Sequence, residues 1–326
     1  MVFGATVAGG CGNDARPEPD PPEGPVWLDD VENELPRALS EVGVFADPAS
    51  LALSARAVAY EPNWPLWSNG TDKLRALFVP EGAIVEPSGS SWEFPIGTVL
   101  AKTFGLGFDA DDTTPVETRL IFRRSDRWEY AAYVWTDDRK DAELLEGNWG
   151  EVTMDLRDES GDAFPYKVPA RLDCRTCHET SEKATRTPVL GVSALQLPPS
   201  LEHAPFFAER PPVAVGAGRS DAETRALGYF VGNCISCHQG GDGDNSAFSL
   251  YPDVAIENTV DQPTEISSAE GIRVVPGAPE ESVLFITVVR APEPSYAGPF
   301  KAMPPLAITR ADHSAGAILG DWIAGL

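Results

Sequence analysis

Ser220-Asp221-Ala222-Glu223-Thr224-Arg225-Ala226-Leu227-Gly228-Tyr229-Phe230-Val231-Gly232-Asn233-Cys234-Ile235-Ser236-Cys237-His238 is the stretch on which the reading of this chain turns. Its first four residues form a capping box, in which the Ser220 hydroxyl and the Glu223 carboxylate satisfy amides at a helix start. The helix runs on through Leu227 and Phe230. It delivers two cysteines three positions apart, with a histidine directly after them. Cys174-Arg175-Thr176-Cys177-His178 repeats the pattern, 56 residues lying between Cys177 and Cys234.

Of five cysteines only Cys11 stands outside this pattern, and two of the four histidines stand inside it. The spacing suits covalent attachment of c-type haem. Two thiols three positions apart can add to the two vinyl groups on one porphyrin edge, and the next residue sets an imidazole beneath the iron. Two alternatives use the same thiols. A four-cysteine zinc ribbon separates its pairs by roughly 15–20 residues and leaves both histidines unexplained. A thioredoxin-like redox pair would not repeat the histidine. Two c-type haems are expected, attached through Cys174 and Cys177 and through Cys234 and Cys237, with His178 and His238 as iron ligands.

The second motif has a candidate sixth ligand in Met303-Pro304-Pro305, a thioether on a proline-stiffened loop. Beyond the initiator only Met154 and Met303 are available, and methionine ligation raises a haem's potential relative to histidine. For the first haem the distal candidates are His203, Met154 and His313, or an open position. His203 sits in a proline-rich stretch and also reads as a solvated loop residue. His313 falls in the first turn of a closing helix and reads as exposed.

Outward from these motifs, residues 220–326 read as helical, with a last helix at about 312–324 that carries Ile318, Trp322 and Ile323 on one side. Residues 26–170 read as β-rich. Trp92-Glu93-Phe94-Pro95-Ile96-Gly97-Thr98-Val99-Leu100 is rich in β-branched and aromatic residues, and residues 119–124 and 128–135 flank the turn Ser125-Asp126-Arg127 as a hairpin. Turn residues between such segments point to an antiparallel, sandwich-like domain. Seven of eight tryptophans precede residue 150; strand core is the expected role, a sugar-stacking platform the alternative. The expected fold class is thus α+β multidomain: a leader remnant and tether at 1–25, a β-rich domain at 26–170, a connector with the first attachment segment at 171–219, and an all-α domain at 220–326. A helix is expected at 29–44, interrupted in preference by Pro36. Asp242-Gly243-Asp244-Asn245-Ser246 offers oxygen ligands but lacks the rest of a calcium loop, and reads as solvated.

Here a resemblance enters. Capped helix, attachment motif, Met-Pro-Pro loop and closing helix together resemble a class I cytochrome c module, and the stretch from Arg273 to Ser282 resembles the segment before the methionine loop of bacterial haem-c modules. The resemblance implies attachment at Cys234 and Cys237, His238 as proximal ligand and Met303 as distal ligand. Pro65-Leu66-Trp67-Ser68-Asn69-Gly70, Phe94-Pro95-Ile96-Gly97-Thr98 and Val189-Leu190-Gly191 resemble an uncharacterised group of exported bacterial haem-c proteins.

Composition bounds the function. Fifty Asp and Glu against 25 Lys and Arg give a formal charge of −25, which repels nucleic acid and anionic lipid; it reads first as a charge that keeps the protein soluble, with a redox partner that has a basic docking surface as the other reading. The longest apolar run, residues 283–289, is far short of the ~20 residues that span a bilayer. Val7-Ala8-Gly9-Gly10-Cys11 is similar to a lipoprotein cleavage box behind a truncated leader, so a lipid on Cys11 is the one expected membrane contact; a free cysteine in a tail is the alternative. The expected role is electron transfer in the periplasm or at the surface of a bacterium. A di-haem peroxidase-like enzyme and a haem-bearing sensing module with a ligand-binding β domain are the other readings.

Overall fold

The computed structural model describes residues 34–88, 91–108, 113–148, 150–158, 160–179, 189–193, 195–197, 199–201, 204–208, 218–240, 248–264 and 270–326. Cys11 and the tether, His203 and the 242–246 loop lie outside the described residues. The strands are β1 (Phe45–Asp47), β2 (Ala52–Leu53), β3 (Ala57–Ala59), β4 (Asp72–Phe78), β5 (Glu86–Ser88), β6 (Ser91–Glu93), β7 (Val99–Leu106), β8 (Thr114–Arg123), β9 (Trp128–Trp135), β10 (Ala142–Leu144), β11 (Glu151–Arg157) and β12 (Ala163–Pro169). The helices are α1 (Arg175–His178), α2 (Asp221–Asn233), α3 (Ala255–Thr259), α4 (Val283–Phe285) and α5 (His313–Ala324), and a π turn, Ile286–Arg290, extends α4.

One six-stranded antiparallel sheet, in the order β10-β9-β8-β7-β4-β3, organises the first half. Alternation along its strands splits it into two faces. On the first face Phe78, Val99, Ala101, Leu120, Phe122, Tyr133 and Trp135 pack under Leu39, Val42, Val44 and Phe45. The second face is laid out in rows by the register. Leu77, Leu100 and Ile121 form one row, Arg75, Lys102 and Arg119 the next, and Lys73, Phe104 and Glu117 the third. The first of these rows packs under Trp92, Phe94, Val189, Val192 and Leu201. At the other end Phe104 meets Phe164, Tyr166 and Val168 of the β11–β12 ladder. The antiparallel, β-rich expectation is met, but its second layer is short ladders and connector rather than a matching sheet.

Two local expectations are corrected, and that of tryptophans in the core is met. Of the helix expected over 29–44, the described part holds only a 3-10 turn, Leu39–Val42, closed by Gly43 at φ 81°. The strand expected over 92–100 is divided between β6 and β7, because Pro95 and Gly97 (φ 87°) make a turn in which Thr98 N–H donates to Pro95 O. Trp92, Trp135 and Trp322 are core, and no described tryptophan is exposed.

From residue 218 the described residues hold α2 and α5, three to five residues each in α4 and α3, and isolated bridges such as Gln239–Ser249, so much of the all-helical domain expected there is turn and loop. Ser220 Oγ accepts from Glu223 N–H at 3.1 Å, as the capping box requires, while the Glu223 carboxylate reaches back to Arg219 N–H. Asp312 caps α5 by accepting from Ala315 N–H at 3.0 Å. The two long helices meet through Phe230 and Trp322, edge to face at 5.7 Å, within a cluster that includes Leu227, Phe285 and Leu319.

One of the places where the halves are joined is a slot on α2. A Cβ at Gly228 would overlap the Trp64 indole, and one at Gly232 would overlap the Trp64 backbone. These two glycines, four apart and so on one side of α2, make the slot that Trp64 fills. Gln196 fixes the same segment, accepting from Trp64 N–H (2.9 Å) and donating to Trp64 O (2.8 Å), and Asn233 Oδ1 accepts from Trp67 N–H (2.7 Å). Among the described residues no helix is long and apolar enough to cross a membrane.

Candidate functional site

Both cysteine motifs fold into the same single turn. In the first, Cys177 and His178 N–H both donate to Cys174 O, at 3.2 and 3.1 Å; in the second, Cys237 and His238 N–H both donate to Cys234 O, at 3.1 and 2.9 Å. This winding sets the two cysteines of each motif on one side, with the histidine a step further round. The first motif is presented by the end of β12, where Asp173 accepts from the N–H groups of Gly150 and Ala170. The second is the continuation of α2.

The turns open on one cavity of about 870 Å³, in the upper part of the ~300–1,000 Å³ range of small-molecule sites. All four cysteines, His178, His238 and Met303 line it. Its other walls are the second face of the sheet around Arg75, Lys102 and Arg119, the segment from Trp64 to Asn69, and Val189 to Gly191 of the connector. The two motifs touch: Cys237 Sγ lies 3.9 Å from Thr176 O, and the Cys177 and Cys237 thiols are within hydrogen-bonding reach of each other.

Met303 is held from two sides. Its N–H donates to Thr287 O at 2.9 Å, inside the π turn, a distortion that recurs at functional sites. The loop after it is clamped by Asn69, whose Nδ2 donates to Ala307 O (2.8 Å) and whose Oδ1 accepts from Thr309 N–H (2.9 Å). Asn69 is buried, and its φ of 54° is a left-handed conformation that asparagine tolerates.

The electrostatics keep Cys174, Cys177 and Cys234 protonated and the second imidazole neutral. Burial raises the Cys174 thiol and pushes Cys234 up to about 12; Cys177 is raised well above its usual value by its contact with Cys237 and then by burial. Redox-active cysteine pairs are held in the opposite direction. Burial, reinforced by Arg273, lowers His238 to about 4. Its ring packs on Phe248 at 4.6 Å, and Nδ1 is buried against the Phe248 backbone without a well-formed hydrogen bond. His178 lies 5.8 Å from the Tyr130 ring, whose hydroxyl donates to Glu179. Among the described residues no three His, Cys, Asp or Glu converge as a metal site.

A covalently held tetrapyrrole fits this donor set: each turn offers two sulfurs on one side and an imidazole beside them, and both face space of ligand size. Of the distal candidates for the first motif, Met154 sits on β11 in the cluster of Phe164 and Tyr166, outside the cavity lining. His313 is 81% exposed and 3.8 Å from Glu293. Neither is brought to the site. Sequence reasoning missed Asn69 as the clamp on the methionine loop, the Trp64 slot, and the basic row of the sheet. The row left one signal: a cation inside each of three largely apolar strands, Arg75, Lys102 and Arg119.

No family model matches the chain, and no curated protein or solved structure is detectably similar to it.

Proposed function

We propose that this chain is an exported di-haem c-type cytochrome that transfers electrons. The observation that carries the reading is the convergence of two identically wound Cys-x-x-Cys-His turns, together with Met303, on one cavity. Cys174 and Cys177 would hold one haem and Cys234 and Cys237 the other, with His178 and His238 on iron and Met303 as sixth ligand of the second, in the manner of a class I cytochrome c module. When bound, such a group supplies reversible one-electron chemistry at iron, with a potential that axial ligands and burial tune.

The chain's own residues then have separable tasks. Burial keeps the His238 imidazole neutral and so available as a ligand. Asn69 and the π turn fix Met303 from both sides, which limits the reorganisation of its loop. Contact between the motifs at Cys177 and Cys237 brings the two attachment points together, as a relay requires. The formal charge of −25 favours docking of a basic partner and disfavours nucleic acid. Because haem is attached covalently outside the bacterial cytosol, the working location is the periplasm or the cell surface, with a lipid on Cys11 as the membrane link.

A pyridine haemochrome assay on protein exported together with haem-attachment machinery tests the reading. Two haems per chain are expected. A colourless, correctly exported product overturns it.

A further inference from the structure

The basic row on the second face of the sheet is not explained by folding. Arg75, Lys102 and Arg119 stand side by side on β4, β7 and β8 in direct register, and all three line the cavity. Three cations in a partly dry site are costly unless countered. Only Arg119 is: its guanidinium grips Glu117, which is fully buried and also accepts from Tyr166 at 2.6 Å. Arg75 is 5% exposed and makes no ion pair among the described residues; Tyr60 and the exposed Glu61 act on it from farther away. Lys102 likewise has no ion pair there and lies over the Phe104 ring at 5.0 Å. Arg75 and Lys102 thus stand without an ion pair among the described residues, in a chain whose net charge is −25; burial, then Arg75 and Arg119, lower Lys102 to about 7, and a pair of carboxylates on the row would hold it charged. Tyr166 of β12, the strand that presents the first motif, donates to Glu117, which pairs with Arg119, and Arg119 and Lys102 act on Cys174 of that motif. The row therefore belongs to the first motif.

We infer that Arg75, Lys102 and Arg119 form a carboxylate seat that takes the two acidic side chains of the haem attached at Cys174 and Cys177. This rests on the di-haem reading and adds to it a task for the β-rich half: the sheet is a charged wall of the cofactor chamber, and α1 supplies the covalent anchor. A planar guanidinium and an ammonium on neighbouring strands suit a pair of carboxylates.

The test uses matured full-length protein, as wild type, Lys102→Gln, Arg75→Gln and Lys102→Arg. Haem count by intact mass, measured first, reports on the di-haem reading alone. A wild type without haem brings down that reading and the seat with it. With two haems present, spectroelectrochemical titration is expected to show one potential falling in each Gln variant, by about tenfold in the reduction equilibrium (~59 mV for one electron), the other unchanged, and Lys102→Arg like wild type. The lowered potential is also expected to become pH-dependent across roughly pH 5–8, where the wild type is flat, because a carboxylate released from its cations titrates higher. Unchanged potentials in both Gln variants overturn the seat. So does a wild-type potential that shifts on adding sulfate in an Arg75-dependent way, since the row would then hold a free anion. Lys102→Gln retains the Arg119–Glu117 pair and keeps the proposal testable if Arg75→Gln does not fold.

Discussion

Replacing Gly228 with alanine puts a methyl group where the Trp64 indole now lies. Inside an isolated helix this change is favourable by about 0.8–1 kcal/mol, because glycine carries the larger entropy loss on folding. In this protein the ring cannot retreat freely, since both backbone groups of Trp64 are bound to Gln196 and the slot continues to Gly232. Overpacking of this kind costs about 1–3 kcal/mol. Taking a clash near 3, the net effect is a destabilisation of about 2 kcal/mol. In a Trp64→Ala background the slot is empty and only the helix preference remains, so the same substitution should stabilise by up to about 1 kcal/mol. The double-mutant cycle, read by denaturant unfolding of matured protein, should give a coupling of about 3 kcal/mol with a change of sign between backgrounds. Gly228→Ala that stabilises equally in both backgrounds would refute the claim that this slot joins the two halves.

Three further outcomes follow from the site. Arg119→Met leaves the fully buried Glu117 carboxylate with Tyr166 but no paired cation, Lys102 acting on it only without an ion pair, and should cost about 3–5 kcal/mol in thermal or denaturant unfolding. His238 is held at about 4 against an ordinary 6.5, so between those values the unfolded chain binds more protons than the folded one. Stability of protein made without haem maturation should fall as pH drops from 6.5 towards 4, by up to roughly 3 kcal/mol from this group, and His238→Gln should flatten that slope. Met303→Ala should lower the potential of one haem and open its sixth position to exogenous ligands, visible in the near-infrared charge-transfer bands; an unchanged potential and spectrum contradict the ligand assignment.

What was legible in the sequence is what is local. A helix cap and a hairpin turn each depend on residues within a few positions; the hairpin and the Ser220 cap appear as read, while the Glu223 carboxylate binds Arg219 N–H instead of Ser220 N–H. The junctions are different. Arg75, Lys102 and Arg119 become a row only through the register of three strands, and nothing at 75 specifies its neighbour at 102. Asn69 meets the methionine loop across 240 residues to Thr309, and Gly228 looks like a helix defect until Trp64 is seen against it. Where local reading went astray, local chemistry was outweighed. The strand propensity of residues 92–100 yields to the turn at Pro95 and Gly97, and Met154, a plausible ligand by type, is spent on the apolar cluster under β12.

The central claim is that both thiol pairs are bonded to porphyrin, and mass mapping of proteolytic peptides from exported, matured protein addresses it most directly. The account predicts that the peptide bearing Cys174 and Cys177 and the peptide bearing Cys234 and Cys237 each carry one haem through two thioether bonds and resist alkylation. Free thiols at either pair, alkylated in full, would contradict it.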